Sequence, residues 1–200
     1  MDFFRAVPSH TDVSKRHTRY NTRRLPSNIP YVIDNLWEFL RPANKPSRRH
    51  AVYASPSPEL ALANASAYTA DTSEGYAAYV LVFDHEPAFM QLSVTDARYH
   101  PDVKALQRIV HETLGAEFGA LPLAQKMAVA PLFLPGVSAD ELRQTGLQCG
   151  VLQNILDQAG AVSTFWDGGN VLDPMSEGEL FFELDEKNSY VLQAFDIEAD

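Results

Sequence analysis

The strand-like runs of this chain stand early, midway and at the end, and helical patterns fill the intervals. Phe3 to Val7 reads as a short strand ended by Pro8, and Tyr76 to Phe83 as an apolar, β-rich central strand. Leu180 to Leu184 and Tyr190 to Phe195 read as a late hairpin around residues 185–188. His50 to Ser55 and Phe89 to Val94 add two shorter strands, and Ala161 to Phe165 a seventh. Between them, Ile29, Ile33, Leu36, Trp37 and Leu40 recur at helical spacing, so a helix is expected over 28–40 with Asn28 as cap and Pro30 in its first turn. Ser57-Pro58-Glu59 starts another, running to about Ala70. Val103, Leu106, Ile109, Val110 and Leu114 mark a third over 102–118. Ser138-Ala139-Asp140-Glu141 is a capping box, and a further helix is expected over 147–158, closed by Gly160. This order suits an α+β fold better than a regular βαβ array, and 200 residues without repeats suit a single domain over 1–200.

Charge narrows the function classes. The first 50 residues hold ten Lys/Arg against four Asp/Glu, a net of +6, which leaves −16 on the rest of a chain whose total is −10. A broad cationic footprint is missing, which argues against general nucleic-acid binding. The basic first quarter can hold an anion or dock on the acidic remainder. No apolar run reaches the ~18 residues that span a bilayer, so no membrane partner is expected. The N-terminus lacks a signal-peptide pattern, and Cys149 alone forms no internal disulfide. Those two facts suit a cytoplasmic protein, or one delivered into a target cell without a classical signal peptide.

Several catalytic patterns fail. Position 115 is glycine, so His111-Glu112 does not extend to a zinc motif, and the histidines and single cysteine show no ligand spacing, so no metal is expected. No phosphate-cradling glycine loop and no Gly-x-Ser-x-Gly elbow occur.

Three separated elements remain. Arg5 lies in the first strand, between Phe4 and Ala6-Val7. The second strand ends in a hydroxyl-rich corner, Tyr53-Ala54-Ser55-Pro56-Ser57, that runs into a helix. Glu177-Gly178-Glu179 enters the last strand pair, and strand alternation puts the two carboxylates on one side, with Gly178 allowing a sharp turn between them. Like charges held together are costly unless something polar or cationic uses them, so the pair is a functional candidate.

In this order the chain resembles the ADP-ribosyltransferase superfamily, in its arginine–serine–glutamate branch. The resemblance implies split central β-sheets flanked by helices, NAD as substrate and a macromolecular target, a protein. It implies a mono-ADP-ribosyltransferase, in the setting of a bacterial or phage effector or toxin. Glu179 would hold the ribose 2′-hydroxyl and stabilise the oxocarbenium-like cation. Glu177 would orient or deprotonate the attacking side chain. Arg5 would meet the pyrophosphate or a ribose oxygen, with Ser55 bracing Glu179. Ser57 is the other hydroxyl of that corner, since Ser55-Pro56-Ser57 departs from the family's Ser-Thr-Ser. Tyr53 would stack on nicotinamide or fill core. Arg48, Arg49 and His50 could meet phosphate or form a solvated basic loop. Two alternatives stay open: an NAD glycohydrolase, and a non-enzymatic module whose acidic face binds a basic partner.

Overall fold

The computed structural model describes residues 2–18, 28–66, 75–115, 118–169 and 171–195. It is a mixed α+β structure whose contacts cluster into two compact units. The first is built from described residues of Met1–Thr22, Lys45–Ala97 and Gly168–Asp200, and the second from those of Arg23–Asn44 and Arg98–Asp167.

The first unit holds two three-stranded antiparallel sheets. Strands β1 (Phe4–Pro8), β3 (Tyr76–Phe83) and β6 (Tyr190–Gln193) form one, in the order β1-β3-β6. Strands β2 (Ala51–Ala54), β5 (Leu180–Glu183) and β4 (Ala88–Gln91) form the other, in the order β2-β5-β4. The sheets meet at one bridge, where Phe4 and Ser55 exchange backbone hydrogen bonds of 2.8 Å in both directions. Helix α2 (Pro58–Ser66) packs on β1 and β3. A core of Val7, Val52, Ala54, Leu81, Leu180 and Phe182 collects side chains from both sheets. Residues two apart on β2 and β5 supply it, as a one-sided strand face requires. Burying a side chain such as Phe182 is worth about 1.5–3 kcal/mol.

In the second unit the described helices are α1 (Tyr31–Leu40), α3 (Pro101–Leu114), α4 (Leu123–Val129), α5 (Ala139–Gly146) and α6 (Gly150–Val162). Ile33, Leu36, Trp37, Leu106, Leu152 and Ile155 are fully buried at helical spacing and form its core. Asp102 ties three segments of this unit together. Its carboxylate, 2% exposed, accepts from Trp37 Nε1 (3.2 Å), Ser163 Oγ (2.6 Å), Thr164 Oγ1 (3.1 Å) and the amides of Thr164 (3.1 Å) and Phe165 (3.1 Å). Burial alone would raise this carboxyl. Hydrogen bonds from His100, Ser163 and Thr164 outweigh it and hold Asp102 well below the usual carboxylate range.

Several expectations are corrected. Leu180–Glu183 and Tyr190–Gln193 are strands but not a hairpin, because each finds its partners in a different sheet. Cross-strand burial, not the four-residue turn, decides the pairing. The expected strand over 161–165 is the end of α6 and the start of a turn of 3-10 helix at Phe165–Asp167. Gly160 lies inside α6 rather than closing it. Helix α1 is entered from extended Pro30, not capped by Asn28, and His100 caps α3 by accepting from the Asp102 amide. The Ser138 capping box forms as read. Beyond Ser66 the expected course of α2 lies outside the described residues. Among the described residues, no helix is long and apolar enough to cross a membrane.

Candidate functional site

The site is built from the ends of β2 and β5. Their register pairs Ala51 with Glu183 and Ala54 with Leu180. Continued by one residue, it sets Ser55 opposite Glu179. Opposite residues of an antiparallel pair share a face. Val52, Ala54, Leu180 and Phe182 take the core face, so Tyr53, Ser55, Glu179 and Phe181 share the other. The Tyr53 and Phe181 rings lie 6.3 Å apart on it.

A polar network closes over this face. Asn64 of α2 donates to the Ser55 hydroxyl at 3.5 Å and to the Thr95 carbonyl at 2.9 Å. Two residues along the same loop, the Ala97 amide donates to Glu179 Oε2 at 2.9 Å. Ser55, Asn64 and Glu179 are thus tied to one short segment, 95–97. Ser55 and Glu179 are buried, at 4% and 8% exposure, and Asp96 beside them at 1%. A carboxylate taken out of water this far needs donors on its lone pairs.

Glu177 is exposed, two residues upstream of Glu179. Gly178 between them is buried, and its role differs from a sharp turn. Among the described residues Gly136 is the glycine with positive φ. At Gly178 an added Cβ would stand 1.7 Å from the Leu92 carbonyl oxygen. The Leu92 amide donates to the Glu179 carbonyl at 2.9 Å and the Glu179 amide to the Val94 carbonyl at 2.8 Å. Glycine is therefore demanded by close backbone approach. Just upstream, the Gln91 amide group donates to the carbonyls of Asp173 and Ser176 and accepts from the Asp173 amide at 2.8 Å, which fixes the approach to Glu177.

Arg5 stands out of phase with this face. Phe4, not Arg5, is the residue paired with Ser55, so alternation turns Arg5 to the core side together with Val7. Its guanidinium reaches the Tyr53 carbonyl at 3.5 Å, the long limit of a hydrogen bond. Its charge is felt at His17, whose pKa is lowered by burial first and by Arg5 second. Ser57 accepts from the Leu60 amide at 3.2 Å, the cap at the start of α2. Tyr53 is half-buried, and its hydroxyl donates to the Arg48 carbonyl at 2.6 Å. Arg48 and Arg49 are buried, at 4% and 3% exposure, so the solvated-loop reading of this stretch is corrected. The Arg48 guanidinium lies 5.3 Å from the Tyr53 ring, a cation–π distance.

The structure therefore brings Ser55 and Glu179 to the same 95–97 segment, Ser55 through Asn64, keeps Glu177 nearby in solvent, and leaves Arg5 and Ser57 to other contacts. Sequence reasoning missed Asn64 and Gln91. Asn64 carried a weak signal, as the one polar side chain in the run Leu60 to Ala65. Gln91 carried none, since its partners lie about 80 residues away. No group of three or more His, Cys, Asp or Glu among the described residues is placed to hold a metal ion. No family model, no curated protein and no solved structure matches the chain.

Proposed function

We propose that the chain is an NAD-dependent mono-ADP-ribosyltransferase acting on a protein target, with Glu179 as its catalytic carboxylate. One observation carries the reading: Ser55 and Glu179, which the sequence resemblance grouped, directly follow and precede the paired strands β2 and β5 and are both tied to the 95–97 segment, through Asn64 and the Ala97 amide. The seam of two three-stranded sheets at which they sit supports it as well. Cleavage of the nicotinamide–ribose bond develops positive charge on the ribose, and a preorganised carboxylate stabilises it. Glu179 holds the ribose 2′-hydroxyl in this scheme, and Ser55 and Asn64 fix the surroundings of its carboxylate. Glu177, exposed beside it, receives the proton of the attacking side chain. A phosphate role for Arg5 requires its side chain to leave the Tyr53 carbonyl, a long contact and hence a weak one.

Labelled NAD and a cell lysate test this. Wild type transfers label to protein, and Glu179→Ala loses the transfer by at least ~100-fold while its melting temperature stays within a few degrees. Transfer that persists in folded Glu179→Ala overturns the proposal. Glu177→Ala should keep slow release of free ADP-ribose and lose modification. If wild type itself only releases ADP-ribose, the enzyme is an NAD glycohydrolase.

A second reading, a non-catalytic module that binds a basic partner, draws on the Arg5 orientation and on the −16 charge of residues 51–200. It predicts no thermal shift with NAD and salt-sensitive binding to a basic protein.

A further inference from the structure

The core side of the two sheets opens into a pocket whose chemistry differs from the Ser55–Glu179 face. Phe3, Phe83 and Phe89 surround Phe182, with ring centroids 4.9, 4.9 and 6.0 Å from it. The rings are tilted at 55°, 43° and 36° to Phe182 and packed in contact with it, so the four make one continuous aromatic lining. All four line a pocket of about 510 Å³, within the usual range for small-molecule sites. Phe182 is a β5 residue of the opposite parity to Glu179, which puts the pocket on the reverse face of that sheet.

The rim is acidic. Asp2, Asp84 and Glu86 line the pocket together with His85, and among the described residues no lysine or arginine does. Asp84 accepts from Ser189 and is ion-paired with Arg16, and these, the Ser189 bond foremost, hold its carboxyl below the usual range. Asp2 and Glu86 are exposed, so two carboxylates beyond the Arg16 pair face whatever enters.

Aromatic faces are negative at their centres and attract cations, and carboxylates add to that attraction. A hard, strongly hydrated metal ion would lose too much solvation against phenyl walls. A neutral apolar ligand would leave the acidic rim unused. A weakly hydrated cation with an apolar surface satisfies both the walls and the rim. We infer that this pocket is a binding site for a small organic cation, of the methylated-ammonium or guanidinium class, separate from the Ser55–Glu179 network.

Titration of the full chain with choline, followed by calorimetry and amide NMR, tests the site. Choline should bind and shift the amides of residues 83–86. Its uncharged carbon isostere should bind about tenfold more weakly, the order expected when cation–π attraction is removed. Phe89→Leu keeps an apolar side chain but removes one wall, and Glu86→Gln removes one charge. Both should weaken choline several-fold without unfolding, whereas Arg16→Gln, which frees Asp84, should strengthen it. Glu179→Ala should bind choline like wild type, which separates this test from that of the proposed enzyme. Absence of choline binding, equal binding of the isostere, or unchanged affinity in both Phe89→Leu and Glu86→Gln would overturn the inference.

Discussion

Asp102 in the helical unit and Glu179 in the sheet unit are both buried carboxylates, yet they are built into their surroundings in opposite ways. Asp102 draws five donors from two segments, Trp37 and Ser163–Phe165, and lies at the start of a long helix where its charge also meets the helix dipole. Its neighbours are aromatic and closed, with Trp37 and Phe165 stacked at 3.9 Å. Glu179 sits at the entry of a strand, receives the Ala97 amide, and has exposed Glu177 two residues away. One acid fastens a core. The other is held at the end of the central strand of its sheet, by a backbone amide of the 95–97 segment.

Replacing Asp102 gives the largest expected effect. Asp102→Ala leaves the Trp37 indole N–H and the Thr164 and Phe165 amides without their acceptor, and should cost roughly 3–5 kcal/mol in urea unfolding. Glu179→Ala should cost about 1–3 kcal/mol, the range for one buried group left unsatisfied. Equal losses would erase the contrast between the two acids.

Gly178→Ala comes next. Its Cβ would collide with the Leu92 carbonyl, so the 92–94 segment must move, at a cost of about 2–3 kcal/mol and with loss of any activity that depends on Glu179. A variant as stable and active as wild type would break the close-approach account.

Acid separates the two regions in another way. Because the folded Asp102 pKa is depressed, its contribution is fully present above the unfolded value of about 4 and is lost as pH falls below it. Stability should therefore fall between about pH 5 and pH 2, and Asp102→Asn should flatten that slope. An unchanged slope would assign acid sensitivity elsewhere. At the small end, Ser57→Ala should cost about 1 kcal/mol as a lost helix cap and leave NAD chemistry intact, whereas a large activity loss would return Ser57 to the site.

Much of this arrangement could be read from residues in order. The helical spacing from Ile33 to Leu40 and the Ser138 capping box are local signals, and the chain folds there as they direct. The same holds for Tyr76–Phe83, whose apolar run suits the centre of a sheet. The late hairpin failed because pairing is not local information. Leu180–Glu183 and Tyr190–Gln193 have strand patterns, but they pair with strands about 90 to 130 residues earlier. At the site, Ser55 and Glu179 were legible as residue types, and their pairing follows from register. The Arg5 orientation was not legible, since a shift of one residue in the Phe4–Ser55 bridge reverses which side chain faces the pair. Asn64 and the Ala97 amide were hidden because one is a lone polar residue on a helix and the other a backbone group.

The central place of β5 has a consequence for how the chain is made. Strands β2 and β4 share no hydrogen bonds with each other; each pairs with β5, and the other sheet receives its third strand only with β6. During synthesis, residues 51–54 and 88–91 thus leave the ribosome long before the segment that joins them. Until about residue 183 has emerged, neither sheet has its full complement of strands, and apolar edges at Val52 and Phe89 stay without their native neighbour. Slow translation through the middle of the chain would lengthen that exposure, and a chaperone that covers strand edges would have its greatest effect there.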